Sequence, residues 1–181
     1  MKDTGIVRAV DGLGRLVIPK EIRRTYRIKE NDSMEIYTNQ EGEIILKKYS
    51  PIGELSAFAK EYAESLALVS GHVAAITDKD SVVAVSGGLK SMRGMEISDA
   101  LEERMNRRES VIASKGEDSY VPILKEMPGE AESVAVNPIL SAGDVVGSVC
   151  LIGTKEGEKL GEVDQKLIQA AAVFLGKQME V

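Results

Sequence analysis

Tryptophan is absent from the 181 residues, cysteine and histidine occur once each, and aromatic side chains make up 4% of the chain. One cysteine excludes an internal disulfide framework and a thiolate zinc cluster, and one histidine leaves little from which to build a metal centre or a nucleophile–base pair. No apolar run reaches the roughly 18 residues that cross a bilayer, and the opening stretch MKDTGIVRAVDG lacks the unbroken hydrophobic segment of a secretory signal. An intracellular protein with no membrane partner is therefore expected. What is present is substantial: 43% hydrophobic residues, at a length suited to one medium domain or two small ones.

The formal net charge of −6 argues against a polyanionic partner until its distribution is read. Residues 1–29 carry eight basic groups (Lys2, Arg8, Arg15, Lys20, Arg23, Arg24, Arg27 and Lys29) against Asp3, Asp11 and Glu21, a net +5. Residues 30–50 carry −3 and residues 51–181 carry −8. The positive charge is concentrated in the first sixth of the chain.

That first part reads as short β segments broken by turns. Gly5–Val10 and Arg15–Ile18 are strand candidates around Asp11-Gly12-Leu13-Gly14, where the Asp-Gly pair supplies the turn chemistry of a tight hairpin. Pro19 ends the second strand and suits the first turn of a short helix, Lys20–Tyr26. Ser33–Thr38 and Glu43–Lys47 alternate as a second hairpin. Fifty residues of this kind hold a thin core, so the unit is expected to be stable only when paired with a copy of itself. If the first hairpin folds back on the helix, Arg8, Arg15, Arg23 and Arg24 converge on one face, and a fork of guanidinium donors suits phosphates and guanine edges.

Residues 51–55 read as a linker between a domain at 1–50 and one at 56–181. Beyond it the period changes. Leu55, Phe58, Ala59, Tyr62, Ala63, Leu66 and Val69 share a helical face that Gly71 ends. His72–Thr77 with Ser81–Ser86, and Glu132–Leu140 with Val145–Ile152, read as hairpins; Ile97–Arg108 reads as a charged helix with Ser98 a candidate cap, and Gly161–Glu180 as a closing helix. This order implies an antiparallel sheet flanked by helices, an α+β domain.

The run GIVRAVDGLGRLVIPKEIRRTYRIKENDSMEIYTNQEGEIILKKYSPI, through G-x-V-R, D-x-L-G-R-x-V-I-P, E-I-R-R-T and L-K-K-Y-x-P, resembles the DNA-binding domain of the AbrB-type transition-state regulators. The resemblance implies a swapped-hairpin β-barrel formed by two chains, double-stranded DNA as partner, and DNA contacts at Arg8, Arg15, Arg23 and Arg24, with Lys2, Lys20 and Arg27 weaker candidates for phosphate. Ala9 departs from a second basic residue frequent after the strand arginine. From residue 54 onward the layout is similar to a GAF domain, which implies a sensor for a small effector of unidentified chemistry, no known cofactor, and homotetramers formed through the first and last helices of that domain. The resemblance further implies a cytoplasmic, nucleoid-associated regulator of sporulation genes, as activator or repressor. An alternative from another class is an antitoxin-like, protein-binding barrel joined to a metabolite sensor.

No catalytic constellation emerges, and no enzyme activity or metal site is expected. His72 at the start of an apolar strand reads as structural and Cys150 as a buried apolar residue. Gly87-Gly88 lacks the spacing of a phosphate loop. The acids Glu102, Glu103 and Glu109 mix with Arg104, Arg107 and Arg108 as surface pairs on one helix.

Overall fold

Where the sequence changes period, so does the structure: in a computed structural model that describes residues 4–180, two units meet between Tyr49 and Ser50. In the first, helix α1 (Lys20–Thr25) begins after Pro19, which takes the N-cap position rather than the first helical one. It is followed by β1 (Met34–Thr38) and β2 (Ile44–Lys48), an antiparallel pair running from Met34↔Lys48 to Thr38↔Ile44. Their turn is organised by Asn39, whose Oδ1 accepts the N–H groups of Glu41 and Glu43 at 3.1 and 2.9 Å. Lys48 Nζ pins the intervening loop, donating to the Arg27 carbonyl at 3.1 Å and lying 3.1 Å from Asp32 Oδ2.

The strands expected at Gly5–Val10 and Arg15–Ile18 do not form a ladder within one chain; only the turn between them is closed. A strand needs both a hydrogen-bonded neighbour and a surface to bury its alternate side chains. Here Val7, Val10, Leu16 and Val17 are all more than half exposed.

Residues 51–55 also depart from expectation. They hold a helical turn, α2 (Pro51–Glu54), capped by Ser50, whose hydroxyl accepts the Gly53 N–H and donates to Asp78 Oδ2, both at 3.0 Å. Ile52 is 1% exposed and joins the core of the second unit, so this segment is packed rather than an open connector. The three apolar or small residues of α2, Pro51, Ile52 and Gly53, are too few to register as a helical period.

α3 (Ser56–Ser70) follows and stops at Gly71, whose φ of +75° is the left-handed C-cap that glycine adopts without a Cβ penalty. The sheet comprises β3 (Val73–Thr77), β4 (Val82–Ser86), β5 (Val111–Ser114), β6 (Ser133–Ser141) and β7 (Asp144–Gly153), ordered β4-β3-β7-β6-β5 with every pair antiparallel. Ala74, Ile76, Val149 and Leu151 face a layer made with α2, α3 and α5 (Glu162–Gln178). Val73, Ala75, Cys150 and Ile152 face a second layer with Met92, Ile97 and α4 (Asp99–Asn106). Covering both faces explains why β3 and most of β7 are buried throughout. Ser98 caps α4 by accepting the Leu101 N–H. β5 was missed in the sequence because four residues at a sheet edge carry no readable period.

Gly147 lies beneath the Thr77 carbonyl, where a Cβ would sit 1.9 Å from the oxygen. Backbone cannot yield as a flexible side chain does. Gly147→Ala is expected to lower unfolding free energy by about 3 kcal/mol, read as a fall in the urea midpoint at unchanged m-value.

Candidate nucleic-acid interface

The first turn is organised by a single carboxylate. Asp11 Oδ1 accepts the N–H groups of Leu13 and Arg15, each at 2.9 Å, while the Asp11 N–H donates to the Arg15 carbonyl at 3.1 Å and the Gly14 N–H to the Asp11 carbonyl at 2.9 Å. Gly14 has φ +76°, the conformation for which the turn needs glycine. Asp11 Oδ2 also accepts Arg15 Nε at 2.8 Å. The backbone N–H bond from Arg15, then its guanidinium, hold the Asp11 carboxyl below its ordinary value. The sequence marks Asp11 only as a turn former. Its i,i+4 spacing to Arg15 was the available signal, but that spacing reads as a side-chain pair on a helix and not across a turn.

The remaining sequence-predicted residues are distributed as follows. Arg8 is exposed in the extended segment before the turn, and its Nη1 donates to the Val7 carbonyl at 3.2 Å. Arg23 and Arg24 are exposed on the last turn of α1, where cations complement the helix dipole. Arg8, Arg23, Arg24 and Lys20 have no acidic partner among the described residues; Arg15 has one, in Asp11. Arg27, half-buried at φ +52°, gives its carbonyl to Lys48 and so has a structural place in the loop after α1. Lys2 lies outside the described residues.

Around these cations the first unit leaves its apolar side chains open. None of residues 4–49 is buried, and the exposed ones include Val7, Leu13, Leu16, Val17, Ile36 and Ile44. Ile18, Ile22, Tyr26, Ile28, Met34 and Leu46 line an open cleft of about 420 Å³. A surface this apolar on so small a unit is what an association face looks like.

In the second unit the candidate reactive groups are packed away. Burial pushes the Cys150 thiol up to about 12, which removes its thiolate at neutral pH. Its neighbours form a buried hydrogen-bonded row, with Ser148 Oγ 2.7 Å from Thr77 Oγ1 and 3.5 Å from Cys150 Sγ. His72 stands between two carboxylates, Nδ1 3.4 Å from Glu158 Oε1 and Nε2 3.6 Å from Asp164 Oδ1, and so ties the start of β3 to the first turn of α5. No group of three His, Cys, Asp or Glu residues able to hold a metal is found among the described residues. Along α4, Arg107 pairs with Glu103 and Arg104 with Glu109 as surface ion pairs. On the helical layer, Phe58, Tyr62 and Phe174 cluster with ring centroids 5.5–6.4 Å apart, while Leu68, Val69, Val163 and Val173 are exposed.

Comparison with known proteins follows the same division of the chain. A family model described as stage V sporulation protein T C-terminal, transcription factor, matches residues 54–180, and one described as antidote-toxin recognition MazE, bacterial antitoxin, matches residues 7–54. Stage V sporulation protein T of Bacillus subtilis (strain 168) is 46% identical over 181 residues, covering 99% of each chain. Transition state regulatory protein AbrB of the same organism is 65% identical over 51 residues, 28% of this chain and 52% of AbrB. The GAF domain of an Acinetobacter phosphoenolpyruvate-protein phosphotransferase matches in fold with a TM-score of 0.57 at 13% identity, over 74% of this chain and 84% of that one.

Proposed function

The chain belongs to the stage V sporulation protein T family of transcription factors, and from that premise we propose that it is a sequence-specific DNA-binding regulator of sporulation genes. Two first units interlace their hairpins into one barrel, covering the apolar side chains that a single chain leaves open. The barrel turns Arg8, Arg15, Arg23 and Arg24 of both copies toward duplex DNA, with Lys20 at its margin. The observation that carries this reading is the combination, within residues 4–49, of unburied apolar side chains and exposed arginines. The first explains why a copy is needed, and the second what the resulting surface binds.

The second unit, with a GAF fold, acts as sensor and assembly domain. Its exposed Leu68, Val69, Val163 and Val173 on α3 and α5 suit pairing with another copy, which would join barrel dimers into a tetramer. On the opposite sheet face Met92, Ile97, Leu101, Met105, Ile123 and Leu124 are each at most 1% exposed, so an effector bound there would displace these side chains. Methionine, unbranched and adaptable, makes such displacement inexpensive.

The match of residues 7–54 to an antitoxin family supports a second reading, in which the barrel face binds a protein. Gel shifts on promoter-length duplexes, beside a pull-down for a stable protein partner, separate the two. Arg23→Ala and Arg24→Ala are each expected to weaken DNA binding at least fivefold while leaving Tm within about a degree, because exposed charges contribute little to folding. Parallel loss of binding and folding would mean that these arginines are architectural.

A further inference from the structure

Of Arg8, Arg15, Arg23 and Arg24, it is Arg15 that has a carboxylate partner among the described residues, on its own turn. We propose that Asp11 is a positioning residue for base recognition: its carboxylate holds Arg15 by Nε so that the terminal Nη groups meet a guanine edge in the major groove. The inference rests on the reading that this face binds duplex DNA.

One carboxylate fixes both ends of the arginine. Oδ1 accepts the Arg15 backbone N–H at 2.9 Å and Oδ2 accepts its Nε at 2.8 Å, so the side chain is anchored at its root and near its tip. The Arg15 side chain nevertheless remains 71% exposed, and Nη1 and Nη2 have no partner among the described residues. A guanidinium engaged through Nε still presents two parallel terminal donors, the fork that matches guanine O6 and N7. As a contribution to folding, an ion pair this exposed is nearly negligible. Its value lies in orientation, because ordering a long side chain before contact removes that cost from binding. Arg23 and Arg24, with no carboxylate partner among the described residues, keep the freedom that suits phosphate contacts, which position the protein without reading bases. Asp11 thus accepts a loss of net positive charge at the face in return for discrimination.

Asp11→Asn separates the two roles of the carboxylate. Asparagine keeps an oxygen for the Leu13 and Arg15 N–H groups, so the turn survives, but presents an amide donor to Arg15 Nε and releases the side chain. It also adds one positive charge per chain, which strengthens sequence-independent binding. Affinities of the full-length protein are measured by fluorescence anisotropy on three duplexes: one selected by the wild-type protein from a randomised pool, the same duplex with 7-deazaguanine replacing guanine, and a scrambled duplex. The wild type is expected to lose about tenfold on 7-deazaguanine, the lower end of a bidentate contact. Asp11→Asn should bind the scrambled duplex at least as tightly as wild type, lose about tenfold of its preference for the selected one, and no longer sense the deaza replacement. Arg15→Ala should lose the same preference, and the double variant no more than either alone. Retained preference and deaza sensitivity in Asp11→Asn would overturn the proposal, as would an equal loss on selected and scrambled duplexes accompanied by a lower Tm. A wild-type protein that selects no duplex from the pool fails the DNA-binding reading itself, a separate result.

Discussion

Raising salt from 50 to 200 mM is expected to weaken DNA binding by on the order of 10⁴-fold. The argument is electrostatic. A barrel of two chains brings Arg8, Arg15, Arg23 and Arg24 to the duplex twice, eight guanidinium charges whose arrival, at phosphates or, for Arg15, in the groove between them, releases about eight counterions and gives log K against log salt a slope near −7. The net charge of the whole chain, −6, would predict repulsion instead. What decides is locality: residues 1–29 carry a net +5, and at physiological salt a phosphate responds mainly to the charges within about 8 Å of it. Arg15 is the member of the set whose charge is offset by a neighbour, so a slope slightly shallower than −7, steepened by Asp11→Asn, fits the geometry at the turn. Anisotropy titrations at four salt concentrations give the slope directly. A slope shallower than about −2 would mean that the arginines do not face the phosphates, and the regulator reading would lose its physical basis.

The double variant Leu16→Glu/Val17→Glu is expected to unfold the first unit while leaving the second intact. In a single chain Leu16 is 51% and Val17 73% exposed, so on that basis alone two glutamates there would cost almost nothing. In an interlaced barrel the consequence reverses. Successive residues of a strand point to opposite faces, so whichever face turns inward receives a carboxylate in each of two copies. Burying each unpaired charge costs several kcal/mol, and a unit with no buried residue among the described residues 4–49 cannot absorb that. Backbone amide hydrogen exchange reads the result: residues 4–49 lose protection, those of the sheet from β3 to β7 keep it, and the protein sediments as a smaller species. Unchanged protection and mass would refute the interlaced barrel and leave the exposed apolar side chains unexplained.

Much of the second unit was legible because its signals are long. The faces of α3 and α5 repeat over several turns, Gly71 marks one helix end, Ser98 marks one helix start, and the runs from Val73 and Val145 are mostly apolar. β5 and α2 escaped for the opposite reason: four residues each give no period, and only the neighbouring β6 or the core around Ile52 tells strand from helix.

In the first unit the balance differs. Apolar alternation at Gly5–Val10 and Arg15–Ile18 announced strands that one chain does not pair, since alternation reports that a face is to be buried and not which chain buries it. The concentration of arginine in the first 29 residues, the turn over residues 11–14 and the short helix after Pro19 follow from composition and local chemistry, which act over a few residues, although the left-handed glycine of that turn is Gly14 and not the Gly12 of the Asp-Gly pair. The grip of Asp11 on Arg15, the packing of Ile52 and the clamp of His72 between Glu158 and Asp164 were decided by tertiary structure alone, because each depends on where folded backbone brings atoms within about 3–4 Å, a distance that no spacing along the chain specifies.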